Sequence, residues 1–232
     1  MSLIREHTAA IRPPRALWVP FELGRPFGPP GEPAFQLDVL RTALGLLEAK
    51  SGPLLQDYGR EAPGAETEGE AWSCTLPLPA RVVTEGPAES LRERLGDEIR
   101  ALRPWYDEAL RRNGRTGFGI SGLTADSTEA IADTLATVAS GGEGAAPEGA
   151  VPPMPILLRY LSDDLKAYYF EAAAAQPASR KPTTKELNRW LFGESVFGEV
   201  LYAARDVVSA NPDPAQALPG RFFVPAAFAR RI

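Results

Sequence analysis

The chain has 232 residues, 44% of them hydrophobic and 24% charged, with a net charge of −5. That composition excludes wholesale disorder and a fibrous structure, and interspersed charges leave no basic stripe for nucleic acid. A single cysteine, Cys74, rules out an intramolecular disulfide, and no uncharged apolar run approaches the ~18 residues of a membrane span. Residues 1–11 carry charges and lack the apolar stretch of a secretory signal, so a cytoplasmic location is expected.

In chain order, Arg15 to Phe21 (Arg-Ala-Leu-Trp-Val-Pro-Phe) is short, apolar and preceded by Pro13-Pro14. This is the pattern of a buried parallel strand ending near Pro20, which has no N–H for a ladder. Glu22 to Gly31 is a loop rich in glycine and proline. From Pro33 to Lys50 the apolar residues Phe35, Val39, Leu40, Ala43, Leu46 and Leu47 recur at three and four, which predicts a helix with Pro33 in its first turn. Gly52-Pro53 stops it, Leu54 to Tyr58 reads as a second short strand, and 59–70 as an acidic loop. Trp72 to Leu78 and Arg81 to Thr84 are read as further strand pieces.

Leu91, Leu95, Ile99, Leu102 and Leu110 share one face of a helix over Glu89 to Arg112, which Pro104 is expected to kink or split. Arg115 to Ser121 reads as a short strand with close backbone approach. Asp126-Ser-Thr-Glu129 has the form of a capping box opening a helix to Ala139. Residues 141–153, rich in Gly, Ala and Pro, are assigned to a linker. Then come a helix from Pro155 to Ala175, a Thr183/Glu186 capping box opening a helix to Ser209, and an apolar tail, Arg221 to Phe228, read as a docking strand. The order predicts an α/β fold: a small parallel, flavodoxin-like sheet in a front domain of residues 1–140, then the linker, then a helical region over 154–232 packing on it.

His7 is the only histidine, so a Ser-His-Asp triad has no credible base, and one His with one Cys cannot build a structural zinc site. Neither a metal nor a cofactor is expected. Gly117 to Gly122 falls one residue short of a dinucleotide fingerprint and reads as a strand end in tight packing, with a phosphate loop as the alternative. Cys74 has no neighbouring cation to activate it and reads as a small hydrophobe. Asp163, Asp164, Glu171, Glu194 and Glu199 lack the Glu-x-x-His pattern of a di-metal bundle and read as solvated helix faces, with Arg159 and Asp163 an ordinary helical pair. Trp190, Phe192, Phe197, Leu201 and Tyr202 read as core or as a partner interface.

Open α/β sheets bind ligands at the carboxyl ends of their strands, which singles out the loop after the first strand. Glu22, Gly24, Arg25 and Gly28 are the candidate substrate-binding residues. Arg25 can pair a carboxylate through two parallel hydrogen bonds, and the start of the next helix favours an anion.

The run Arg12-Pro-Pro-Arg-Ala-Leu-Trp-Val-Pro-Phe-Glu-Leu-Gly-Arg-Pro-Phe-Gly-Pro-Pro-Gly31, continued through Gln36 to Leu47, resembles the selenoprotein-B-like subunits of glycine, sarcosine, betaine and D-proline reductases. Members of that family cleave C–N bonds reductively with a selenocysteine or cysteine beside further thiols. This chain has neither a selenocysteine nor a cysteine pair, so those redox residues do not carry over. The resemblance implies a related fold and a place in a related complex, either as a redox-dead subunit or with the catalytic thiol supplied by a partner. The expected function is thus a subunit or accessory component of a reductase-like complex acting on a small amine or amino-acid-derived substrate. A protein partner or homo-oligomer and an anionic small molecule are the expected partners; nucleic acid and membrane are not. The alternatives are a stand-alone carboxylate-based lyase or isomerase, and a non-catalytic interaction subunit.

Overall fold

A computed structural model describes residues 1–21, 24–63, 90–177, 182–225 and 228. The expected strand pieces at 72–78 and 81–84 lie outside the described residues, as do Glu22 and Cys74. Helix takes 59% of the described residues, and their sheet has two parallel strands, so the fold is mostly helical with a small α/β element. The chain forms two compact units, Met1–Glu70 and Ala71–Ile232.

The first unit contains α1 (Arg5–Ile11), β1 (Arg15–Trp18), α2 (Pro33–Gly45), a 3-10 turn (Leu46–Glu48) and β2 (Leu54–Asp57). His7 lies exposed on α1. The two strands pair in parallel, with Arg15 opposite Leu54 and Trp18 opposite Asp57. β1 ends ahead of Pro20, which has no N–H to extend the ladder. Ser2 continues the sheet on the other side of β1, donating to Leu17 O at 2.8 Å and accepting from Val19 N at 3.0 Å. Leu17, Val19 and Phe21 then bury against Phe35 and Val39 of α2, with Leu46 and Tyr58. The rings of Phe21, Phe35 and Tyr58 pack tilted or edge-on with centroids 5.5–6.0 Å apart, the arrangement aromatic quadrupoles favour. Arg5 ties α1 to the end of β2 through Asp57 at 3.0 Å.

The second unit contains α3 (Leu91–Asn113), a 3-10 turn (Ala125–Ser127), α4 (Thr128–Ala139), α5 (Ile156–Ala175), α6 (Thr184–Gly193), α7 (Val196–Ser209), and two short helices, α8 (Pro214–Ala217) and α9 (Gly220–Phe223). Its core runs from Leu95, Ile99 and Leu102 through Ile131 and Leu135 to Leu161, Leu165, Tyr168, Tyr169, Phe197 and Phe223, all buried. α3 is a single helix that includes Pro104. The proline withholds a donor from the Arg100 carbonyl, but Leu102 and Tyr106 on either side of it are locked in the core. Tyr168 stacks on Tyr106 at 4.7 Å and donates to Ile99 O at 2.8 Å, fastening α5 to α3.

The Thr183/Glu186 capping box forms as expected, with Thr183 Oγ1 accepting from Glu186 N at 3.2 Å. The Asp126 box does not: Asp126 lies in the 3-10 turn and pairs with Arg103 at 2.9 Å. The single helix expected from Thr183 to Ser209 is two, because Ser195 caps a new start and accepts from Gly198 N at 2.9 Å. Residues 141–153, assigned to a linker from composition, run alongside α4 and the loop after α3. Thr134 Oγ1 donates to Ala145 O at 2.7 Å, and Val151 N donates to Ser121 O at 3.0 Å. The C-terminal tail forms α9 in place of a strand, with Phe223 fully buried.

The α6–α7 junction has no room for a side chain at Gly198, where a Cβ would overlap the Leu191 carbonyl oxygen. Gly198→Ala is therefore expected to destabilise the protein by about 1–3 kcal/mol, the usual cost of overpacking. Urea unfolding followed by circular dichroism reads this directly, and an unchanged midpoint contradicts the packing described.

Candidate functional site

Because β1 and β2 are parallel, their carboxyl ends lie on one edge, where the candidate loop begins. Gly24 and Arg25 are exposed there. The Arg25 carbonyl accepts from Gly28 N at 2.9 Å, closing the turn. Gly28 is required twice over: its φ is +84°, and a Cβ would stand 2.7 Å from the Phe35 ring. Gln36 steadies the far side of the loop, donating from Nε2 to Pro29 O at 2.7 Å. α2 starts at Pro33 with no side-chain cap at its N-cap residue.

The end of β2 adds a group that sequence reasoning missed. Tyr58 OH donates to Asp38 Oδ2 at 2.6 Å, and Arg60 Nη1 donates to the same oxygen at 2.9 Å. The Arg60 guanidinium lies over the Phe35 ring, 5.4 Å from its centroid. Burial, then the bond to Asp38, pushes the Tyr58 phenol up, so it stays a neutral donor. Tyr58 and Arg60 sit 20 and 22 positions away in sequence from their shared partner Asp38, and no local spacing signals the trio. Both of these donors are engaged by the Asp38 carboxylate. Glu22 lies outside the described residues.

Of the acidic residues read as solvated helix faces, Glu194 is exposed, whereas Asp163, Glu171 and Glu199 are half-buried and Asp164 is not solvated at all. Asp164 on α5 is fully buried. Its Oδ1 accepts from Gly119 N at 2.7 Å and Ile120 N at 2.9 Å; its Oδ2 accepts from Ser121 N at 3.1 Å and from the Ser121 hydroxyl. Two turns along α5, Glu171 accepts from Gly117 N at 2.6 Å and from Thr116 Oγ1 at 2.8 Å. The segment 116–121 is therefore neither a strand nor a phosphate loop. Its successive N–H groups, with Gly119 at φ +124°, form a concave anion nest whose anion is the chain's own Asp164.

Glu98 on α3, 1% exposed, plays the same part for α7. Its Oε1 accepts from Tyr169 OH at 2.7 Å and Phe197 N at 3.1 Å, and its Oε2 from Val196 N at 2.8 Å. Burial raises the Glu98 carboxyl above its ordinary 4.5, opposed by these three donors and by Arg94. Arg94 itself pairs with Glu199 at 3.0 Å, so Glu199 is also partly buried and engaged.

Three polar clefts on the second unit are lined by described residues, one of them about 600 Å³ and lined by Arg112, Asn113, Arg115, Thr116, Gly117 and Glu171. None of the three is lined by Glu98 or Asp164. Among the described residues no group of three or more His, Cys, Asp or Glu side chains is placed to hold a metal ion. No family model, curated protein or solved structure matches the chain. No described helix is long and apolar enough to cross a membrane.

Asp164→Asn places an amide among four donors and leaves two of them facing N–H groups, so a loss of about 2–4 kcal/mol in stability is expected. A variant as stable as the parent contradicts the anchoring role. Glu98 has a pH signature. Its folded pKa lies above the unfolded value, so the native state holds the proton more tightly. The associated stability is complete below about 4.5 and is lost as pH rises through the raised folded value. Relative to Glu98→Gln, the parent protein is expected to lose stability across that window and then level off. Denaturant titrations from pH 4 to 8 measure the difference, and the opposite slope would show a depressed carboxyl.

Proposed function

We propose that the chain is a subunit or accessory component of a reductase-like complex acting on a small amine or amino-acid-derived substrate. In this reading Arg25 receives an anionic group of the substrate, and the reacting thiol belongs to a partner. The flavodoxin-like character expected of the sheet is part of the same proposal. The observation that carries the reading is the loop at Gly28: the residues bearing the resemblance form one β–loop–α element whose turn requires glycine and leaves Arg25 exposed at the carboxyl edge. Gly24, also at positive φ with open space around it, lets a ligand approach the backbone.

The non-catalytic interaction subunit is the second reading, and the exposed leucines of α2 favour it. A carboxylate-based lyase draws less support: the buried carboxylates of the second unit already serve backbone and phenol donors and line none of the three clefts. Native mass spectrometry of the protein isolated from its own cells tests for a thiol-bearing partner. Calorimetric titration with glycine, sarcosine and betaine tests the anchor. Arg25→Ala is expected to weaken binding by about 1.5–3 kcal/mol, the worth of a charged hydrogen bond, with Arg25→Lys recovering part of it. Equal affinity in the alanine variant removes Arg25 from the site; no partner and no binding removes the reading.

A further inference from the structure

Arg115 and Glu171 line the same cleft of about 600 Å³, yet they do not pair with each other, and neither has an ion-pair partner elsewhere among the described residues. The Glu171 carboxylate is fixed in place without being neutralised. It accepts from Gly117 N at 2.6 Å and from Thr116 Oγ1 at 2.8 Å. Thr116 is fixed in turn, its hydroxyl accepting from Tyr106 OH and from Phe118 N, each at 3.0 Å. An ionised carboxylate has about four acceptor positions, so about two on Glu171 remain open. Arg115 is exposed, and its guanidinium donates to no described residue. The Asn113 amide is likewise uncommitted among the described residues. Arg112, the other cation on the wall, is already engaged by Glu108 and by Ala175 O at 3.2 Å.

The cleft therefore offers one unpaired positive group and one unpaired negative group, held apart on a wall of fixed backbone. Its volume falls within the ~300–1,000 Å³ of small-molecule sites. A simple anion drawn to Arg115 would be repelled by Glu171, and a simple cation drawn to Glu171 would be repelled by Arg115. A ligand carrying both charges satisfies both walls. We propose that this cleft binds a small zwitterion of the α-amino acid class. Its carboxylate takes two parallel hydrogen bonds from the Arg115 guanidinium, its ammonium donates to the open positions of Glu171, and Asn113 serves a polar side chain. The site is built wholly from residues of the second unit and does not rest on the reductase reading.

Calorimetric titration of the whole chain with each standard amino acid tests the proposal, with acetate and methylammonium as single-charge controls. The expected result is that at least one amino acid binds and both controls bind far more weakly. Arg115→Gln should weaken that binding by about ten- to a hundredfold, the worth of a charged hydrogen bond, with an unchanged melting curve because the side chain is exposed and unpaired. Glu171→Gln could disturb the turn at Thr116 and Gly117, so the ammonium contact is tested on the ligand. The N-acetyl derivative of the bound amino acid should bind the parent protein at least about tenfold more weakly. No amino acid bound, controls bound as tightly, parent affinity in Arg115→Gln, or equal affinity for the N-acetyl derivative each overturns the proposal. Binding lost in Arg25→Ala and kept in Arg115→Gln overturns this site while supporting the anchor in the first unit; the reverse pattern supports this site alone.

Discussion

The second unit depends on burying carboxylates where backbone N–H groups would otherwise be left without partners. Asp164 has no solvent exposure, and an isolated charge there would be prohibitively unfavourable. Four donors from Gly119, Ile120 and Ser121 converge on it and make the position tenable. The dependence runs both ways. Without Asp164 the turn after α3 would hold consecutive N–H groups beside the core with no acceptor, and the path of the chain from α3 to α4 would lose its anchor on α5.

Glu98 extends the same logic to a helix end. The first N–H groups of any helix lack internal acceptors. At α7 they are buried, and one α3 side chain supplies the oxygens while Ser195 serves Gly198. Tyr169 adds a phenol donor from α5, so three helices meet at one carboxyl group. Networks of this kind contribute less through net stability than through the single arrangement they permit. They also explain why Glu98 and Asp164 line none of the three clefts: their oxygens are engaged in holding backbone.

The first unit is built with less. A two-stranded sheet is marginal on its own, and here one crossover helix, three packed aromatic rings and the Arg5–Asp57 pair supply most of its support. Its carboxyl edge carries exposed Arg25, and Arg60 and the neutral Tyr58 phenol there both donate to Asp38.

Sequence alone determined the elements whose signals are local. Pro33 at a helix start, the period-three-and-four residues of α2, α3 and α5, the Thr183/Glu186 box and the two short strands at Arg15–Trp18 and Leu54–Asp57 stand where periodicity and capping chemistry put them. Those signals act through neighbours along the chain, so a linear reading captures them. The need for glycine in the loop after β1 was legible for the same reason. What the tertiary structure decided are the points where distant residues compete with local preference. Core packing on both sides carries α3 through Pro104. Ser195, helped by Glu98 from 98 positions away, opens α7 inside what reads as one helix. Asp164, 45 positions beyond Gly119, turns an apparent strand or phosphate loop into a nest for an internal anion. Asp38, Tyr58 and Arg60 meet only because β2 returns beside α2. A carboxylate looks the same in sequence whether water or backbone surrounds it; only the folded chain brings up the donors that make its burial favourable.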